Sequence, residues 1–172
     1  MMEQSKPYCY KYPRPAITTD CIIFGWAGKE LRVLLVERGS KPFRGCWALP
    51  GGFMNMEEDA DTCAKRELEE ETGLKGVDVK QFYTFSAVNR DPRYRVVSIA
   101  YYAFVEVEKC RLQAGDDARK VQWFGVDSLP TLAFDHQDIL QKALAHLDKE
   151  NGVWLLEEGQ SIQWSGSNGL KR

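Results

Sequence analysis

Four carboxylates, Glu67, Glu69, Glu70 and Glu71, crowd into five consecutive positions of this chain. Glu67, Glu70 and Glu71 fall at i, i+3 and i+4, so a helix would put all three on one face. Like charges in that arrangement repel and weaken the helix unless a cation neutralises them. Hard oxygen donors gathered this way suit Mg²⁺ or Mn²⁺. Upstream, Gly51 and Gly52 form a turn, and Gly73 sits where a helix ends on a left-handed residue. An acidic run alone would read as a solvated surface helix, so the case for chemistry rests on the full spacing around it.

Gly52, five residues, Glu58, seven residues, Arg66-Glu67-Leu68, one residue, Glu70-Glu71, one residue and Gly73-Leu74 resemble the Nudix box at every fixed position. Ordinary residue frequencies put a chance match at odds on the order of 10⁻⁸. That box marks hydrolases of a nucleoside diphosphate linked to another moiety. The resemblance implies a Nudix α/β/α sandwich around a central mixed sheet. It implies that Glu67, Glu70 and Glu71 bind Mg²⁺, with Mn²⁺ as a substitute, and that Arg66 orients them through a salt bridge. Glu58 is expected beside them as an auxiliary metal ligand. Gly52 would permit close backbone approach and offer its carbonyl to a metal. Glu69 should point away from the site.

The segments Val36-Glu37-Arg38, Lys41 to Phe53, Arg90-Asp91-Pro92-Arg93 and Leu132 to Leu140 resemble the ADP-ribose pyrophosphatase branch of that family. The same pattern occurs in Nudix-derived regulators of NAD metabolism. Arg90, Arg93 and Arg95 form a basic cluster in a loop stiffened by Pro92, and guanidinium groups suit a diphosphate or a sugar phosphate. Arg38 and Arg44 are further phosphate-binding candidates. Tyr83, Phe85 and Tyr12 could stack on adenine, although aromatics at strand spacing more often belong to a core. The general base is expected in the loop 113–118. Relatives often carry glutamate there, whereas this chain offers Asp116 and Asp117, of which Asp117 is the candidate. His136 sits at a helix start, where the macrodipole would depress its pKa, either as part of the cap or as a neutral donor near the site.

The combined expectation is an enzyme that hydrolyses ADP-ribose to AMP and ribose 5-phosphate. The alternatives are removal of damaged nucleoside triphosphates and a non-catalytic ADP-ribose sensor. A sensor would carry a DNA-binding winged helix, for which too few residues follow the last helix.

The elements that must position these residues can be read along the chain. With 172 residues, 44% hydrophobic and 28% charged, one well-packed soluble domain is expected. A net charge of −2 gives no electrostatic case for nucleic acid or an anionic membrane, and the resemblance implies a small nucleotide as the partner. A homodimer is expected by analogy with the branch. The N-terminus lacks an apolar signal core, and the apolar run from Cys21 to Ala27 is too short to span a bilayer. Cysteines at 9, 21, 46, 63 and 110 show no C-x-x-C pair, so reduced thiols in a cytoplasmic protein are expected, with Cys63 packed in the core.

Residues 1–15 should form an extended N-terminal segment, 16–164 the Nudix domain and 165–172 a frayed tail. Strands are predicted over 17–24, 31–37, 47–50, 81–88, 96–107 and 121–126, with a terminal hairpin at 153–156 and 161–164. The acidic helix should run over 58–72, with Ala60, Ala64 and Leu68 packing on a sheet. A second helix should start at Asp135 as N-cap, with Asp138 at N3 and a staple between Phe134 and Ile139.

Overall fold

A computed structural model describes residues 8–28, 30–115, 118–149, 153–155 and 161–163. Strand β1 (Ala16–Ala27) is its spine. On one side β1 pairs antiparallel with β2 (Glu30–Arg38), and on the other it pairs in parallel with β6 (Val96–Glu106), from Ala16↔Val96 to Trp26↔Glu106. β6 in turn pairs antiparallel with β5 (Lys80–Phe85), and β2 with β3 (Trp47–Ala48) and β7 (Ala118–Gly125). β4 (Gly51–Phe53) lies antiparallel against Thr18–Asp20 of β1. The sheet is therefore mixed. β8 (Val153–Leu155) and β9 (Ser161–Gln163) form the expected separate hairpin.

β1 is apolar almost without alternation because both faces of the sheet are covered. Its successive side chains point to opposite faces. Cys21 and Ile23 join Leu34, Tyr101 and Ala103 under Ala64 and Leu68 of α1 (Ala60–Thr72). Ile22 and Phe24 join Val33, Leu35 and Tyr102 under Ile139, Leu140, Ala143 and Leu147 of α2 (His136–Lys149). This is an α/β/α sandwich, as the resemblance implied. Among the described residues no helix is long and apolar enough to cross a membrane.

α1 starts two residues later than expected. Asp59 takes the N-cap, its carboxylate accepting from the Thr62 N–H, and Gly73 closes the helix at φ 77° with its N–H on the Glu69 carbonyl. The first hairpin is tighter than the polar stretch 25–30 implied, because pairing continues to Ala27↔Glu30. β5 stops at Phe85 rather than residue 88, where a turn begins at 88–89.

Candidate active site

The turn from Pro50 to Phe53 meets the carboxylate face of α1 because two glycines allow it. A side chain on Gly51 would strike the Thr19 carbonyl of β1, and its φ of 153° is one that L residues rarely adopt. A Cβ on Gly52 would lie 2.5 Å from the Glu67 carboxylate. The gap left by Gly52 is thus where Glu67 sits, and the Gly51 N–H donates to Glu71 Oε2 at 2.9 Å.

Arg66 gathers the other acids. Its Nη1 donates to Glu67 Oε1 at 2.7 Å and Glu70 Oε2 at 2.9 Å, and its Nε and Nη2 bind both oxygens of Glu58 at 2.9 and 2.6 Å. Nη2 also reaches the Phe53 carbonyl. These bonds raise the Arg66 pKa above its ordinary value. Arg66, then the Asn55 N–H, hold Glu58 down at about 2. Glu67 and Glu71 behave oppositely. Burial pushes Glu67 above the usual carboxylate range against the opposing pull of Arg66. Burial pushes Glu71 to about 7, and Glu67 and Asp20 add to that while the Gly51 N–H opposes it. Glu69 points away and pairs with Lys75.

Glu67 and Glu71 line a cavity of about 430 Å³, whereas Glu70 stands outside it with a 59% exposed side chain. Among the described residues, no group of three or more His, Cys, Asp or Glu side chains stands arranged to hold a metal ion. Arg66 serves as counter-cation to Glu58, Glu67 and Glu70 at once. The donor set nevertheless fits a hard divalent ion. Two poorly compensated, half-buried carboxylates face one cavity, and the neighbouring backbone is glycine.

Arg38 and Arg93 line the same cavity. Both guanidiniums lie over the Phe134 ring, at 4.8 and 5.3 Å from its centroid. Arg93 also lies over Phe53 at 5.1 Å and is held by Asp91 through Nε and Nη2 at 3.0 and 2.7 Å. Burial, and then the Arg93 cation, lower the Arg38 pKa. Two like charges are thereby held side by side, an arrangement that an anion would stabilise.

The other expected arginines are deployed differently. Arg90 is buried, with its side chain 4% exposed, and binds both oxygens of Asp135 at 2.9 and 2.7 Å. Asp20 lies 3.5 Å from it. Its guanidinium is thus committed to a structural pair, although its edge still lines the cavity. Asp135 directly precedes α2 as expected, with the Asp138 and Ile139 N–H groups on its backbone carbonyl, while its carboxylate accepts from Arg90. Arg95 ties its own loop shut, donating to the carbonyls of Ser86, Ala87 and Val96. Arg44 lies in a separate recess with Lys41, Pro42, Phe43, Pro92 and Arg93. Tyr83 packs on Phe85 with Lys142 over its ring, at the edge strand β5 away from the cavity lining. Tyr12 is exposed beside Lys11. Asp116 and Asp117 fall outside the described residues, as does the tail after residue 163. Cys63 is buried, and its burial raises the thiol to about 11, so it packs as expected.

His136 is a site residue as well as the first residue of α2. Its Nδ1 accepts from the Leu49 N–H at 2.9 Å, which leaves the proton on Nε2, 3.6 Å from Asp20 Oδ1. Its pKa is lowered, as the sequence suggested, but burial is the main cause rather than the helix dipole. Asp20 was missed. It is buried, accepts from Ser98 Oγ and lines the cavity. A lone acid inside the apolar run of β1 was the available signal. Glu37, Phe53 and Phe134 also line the cavity.

The NUDIX domain description matches residues 14–147. An ADP-ribose pyrophosphatase of Methanocaldococcus jannaschii is 40% identical over 130 residues, covering 76% of this chain and 73% of that protein. An ADPR-responsive transcriptional repressor of Acinetobacter baylyi is 34% identical over 143 residues, covering 81% of this chain. The chain spans only 57% of that repressor's length. The NUDIX domain of Shewanella oneidensis NrtR, solved with ADP ribose, superposes with a TM-score of 0.70 at 30% identity, covering 79% of this chain and 90% of that one.

Proposed function

The chain belongs to the NUDIX family, and we propose that it hydrolyses a nucleoside diphosphate derivative with the help of a divalent metal, its substrate being ADP-ribose and its products AMP and ribose 5-phosphate. The observation that carries this reading is one cavity lined both by the carboxylates Glu67 and Glu71 and by the guanidiniums Arg38 and Arg93. A diphosphate suits such a lining, which can meet it with carboxylate-held cations and with guanidiniums. The likeness to a pyrophosphatase and to an ADP-ribose-binding domain supports the choice of substrate.

Glu67, Glu71, Glu70 and the Gly52 carbonyl are the groups that would hold Mg²⁺ or Mn²⁺. When bound, the ion supplies charge neutralisation on the phosphates and activation of water. Arg38 and Arg93 grip the diphosphate in bidentate fashion and set its register. Arg66 fixes the rotamers of Glu67 and Glu70. The His136–Leu49 bond ties the segment 49–51 to α2, and the Gly51–Glu71 bond ties it to α1. Attack of water on one phosphorus breaks its bond to the bridging oxygen. That oxygen leaves on the second phosphate, and Asp117 is the proposed acceptor of the water's proton.

The test is a panel of ADP-ribose, NADH, nucleotide sugars, dinucleoside polyphosphates and dNTPs with Mg²⁺, with products identified. ADP-ribose should show the highest kcat/KM. A higher value for any dNTP would overturn the substrate and leave the hydrolase. ADP-ribose binding without turnover of any compound would instead favour the sensor reading, which the NrtR likeness keeps in view.

A further inference from the structure

Among the described residues, only two non-glycine residues have positive φ: Phe43 at 64° and Phe134 at 51°. A phenylalanine is uncommon in that region, and backbone held there is a sign of local constraint with a purpose. The two residues come from loops 91 positions apart, yet their rings touch, with centroids 4.8 Å apart. The loop carrying Phe43 is pinned on both sides of it. Arg38 Nε holds the Pro42 carbonyl at 2.9 Å, and the Cys46 N–H holds the Phe43 carbonyl at 3.0 Å. Phe134 is held under Arg38 and Arg93. Phe43 is still 39% exposed, so the constraint presents a ring to solvent instead of burying it.

That ring lines an open, mostly apolar recess with Pro42 and Pro92, flanked by Lys41 and Arg44. Arg93 lines both the recess and the cavity, and Phe134, which touches Phe43, lines the cavity too, so the two lie side by side. A diphosphate held at Arg93 would have one end of its molecule within reach of Phe43. The flat faces of Phe43, Pro42 and Pro92 suit a planar ring system and offer little to a hydroxyl-covered sugar. We propose that Phe43, held by Phe134, is the stacking platform for the nucleobase of the substrate, with the Pro42–Pro92 recess as the base subsite. This rests on the reading of the cavity as a nucleoside diphosphate site. It reassigns base stacking from Tyr12, Tyr83 and Phe85 to a loop selected by its backbone.

The two products separate the base from the rest of the substrate. Binding of AMP and of ribose 5-phosphate is measured by calorimetry with Mg²⁺ present, for the wild type, Phe43→Ala, Phe43→Gly and Phe43→Trp. Phe43→Ala and Phe43→Gly should weaken AMP about tenfold, the loss expected for one stacked base. Both should leave ribose 5-phosphate within about twofold, and Phe43→Trp should retain AMP. Phe43→Gly should melt at the wild-type temperature or above, because glycine takes positive φ without strain. Unchanged AMP affinity in Phe43→Ala, equal weakening of both products, or no AMP binding to the wild type would each overturn the platform. If the wild type hydrolyses ADP-ribose while one of these holds, the base subsite alone is wrong. If no nucleoside diphosphate derivative is hydrolysed or bound, the underlying reading falls first.

Discussion

Replacing Glu71 with Gln should stabilise the metal-free protein while disabling it, and the stabilisation should depend on pH. Glu71 has a folded pKa of about 7 against an ordinary value of 4.5, chiefly because it is buried. The native state therefore binds this proton more tightly than the unfolded chain. Stability falls as pH rises from the ordinary value to the folded one, and levels off above it. Linkage gives a penalty of about 3 kcal/mol at pH 8 and about 1 kcal/mol at pH 5, both order-of-magnitude figures. Glutamine keeps an oxygen to accept the Gly51 N–H and carries no charge, so it removes most of the penalty. For a chain of this size, a gain of about 2 kcal/mol at pH 8 raises the melting temperature by roughly 4–8 °C, shrinking to a few degrees at pH 5. The assay is thermal unfolding with EDTA at both pH values, then with Mg²⁺. Added Mg²⁺ should raise the wild-type midpoint more than the variant's, because a ligand stabilises only in proportion to its affinity for the native state. Turnover by the variant should fall about 10²-fold or more. A gain that is the same at both pH values, or a loss of stability at pH 8, would refute the argument that burial of an under-compensated charge governs this site.

Other outcomes follow from the same geometry. Gly52→Ala should keep its fold by circular dichroism yet lose most activity, since the added Cβ falls 2.5 Å from the Glu67 carboxylate and must displace it. Wild-type kcat would show that Glu67 can move freely. Arg93→Glu should lower kcat/KM for ADP-ribose by roughly 10- to 150-fold, the worth of about 1.5–3 kcal/mol for a charged hydrogen bond, with the melting temperature changing less than activity does. Arg95→Gln, which alters a loop tie outside the cavity, should change kcat/KM far less, and equal losses in the two variants would argue against a special role for Arg93. Asp117→Asn should lower kcat with little change in KM, and an unchanged kcat would remove it as the base.

The sequence by itself determined the acidic helix, its glycine neighbours, the mixed sheet and the family. These are local or periodic properties. The i, i+3, i+4 spacing of Glu67, Glu70 and Glu71 fixes their common side of a helix, Gly73 favours its end, and the irregular alternation of strand and helix patterns calls for a mixed sheet with helices packed on it. Which partner each charge takes was not legible there. Arg90, Arg93 and Arg95 look alike in a loop, yet Asp135, 45 positions from Arg90, claims the first, backbone carbonyls claim the third, and Arg93, paired with Asp91, lies over Phe134 at the cavity. Asp20 and His136 likewise became site residues only when β1 met the start of α2. The pairing of Phe43 with Phe134 depends on two distant loops meeting. Such partnerships are long-range contacts between side chains, and a propensity or a spacing carries no record of which partner arrives from the far end of the chain. Tertiary structure decided them because a buried charge settles wherever the packed chain supplies a counter-charge or a donor.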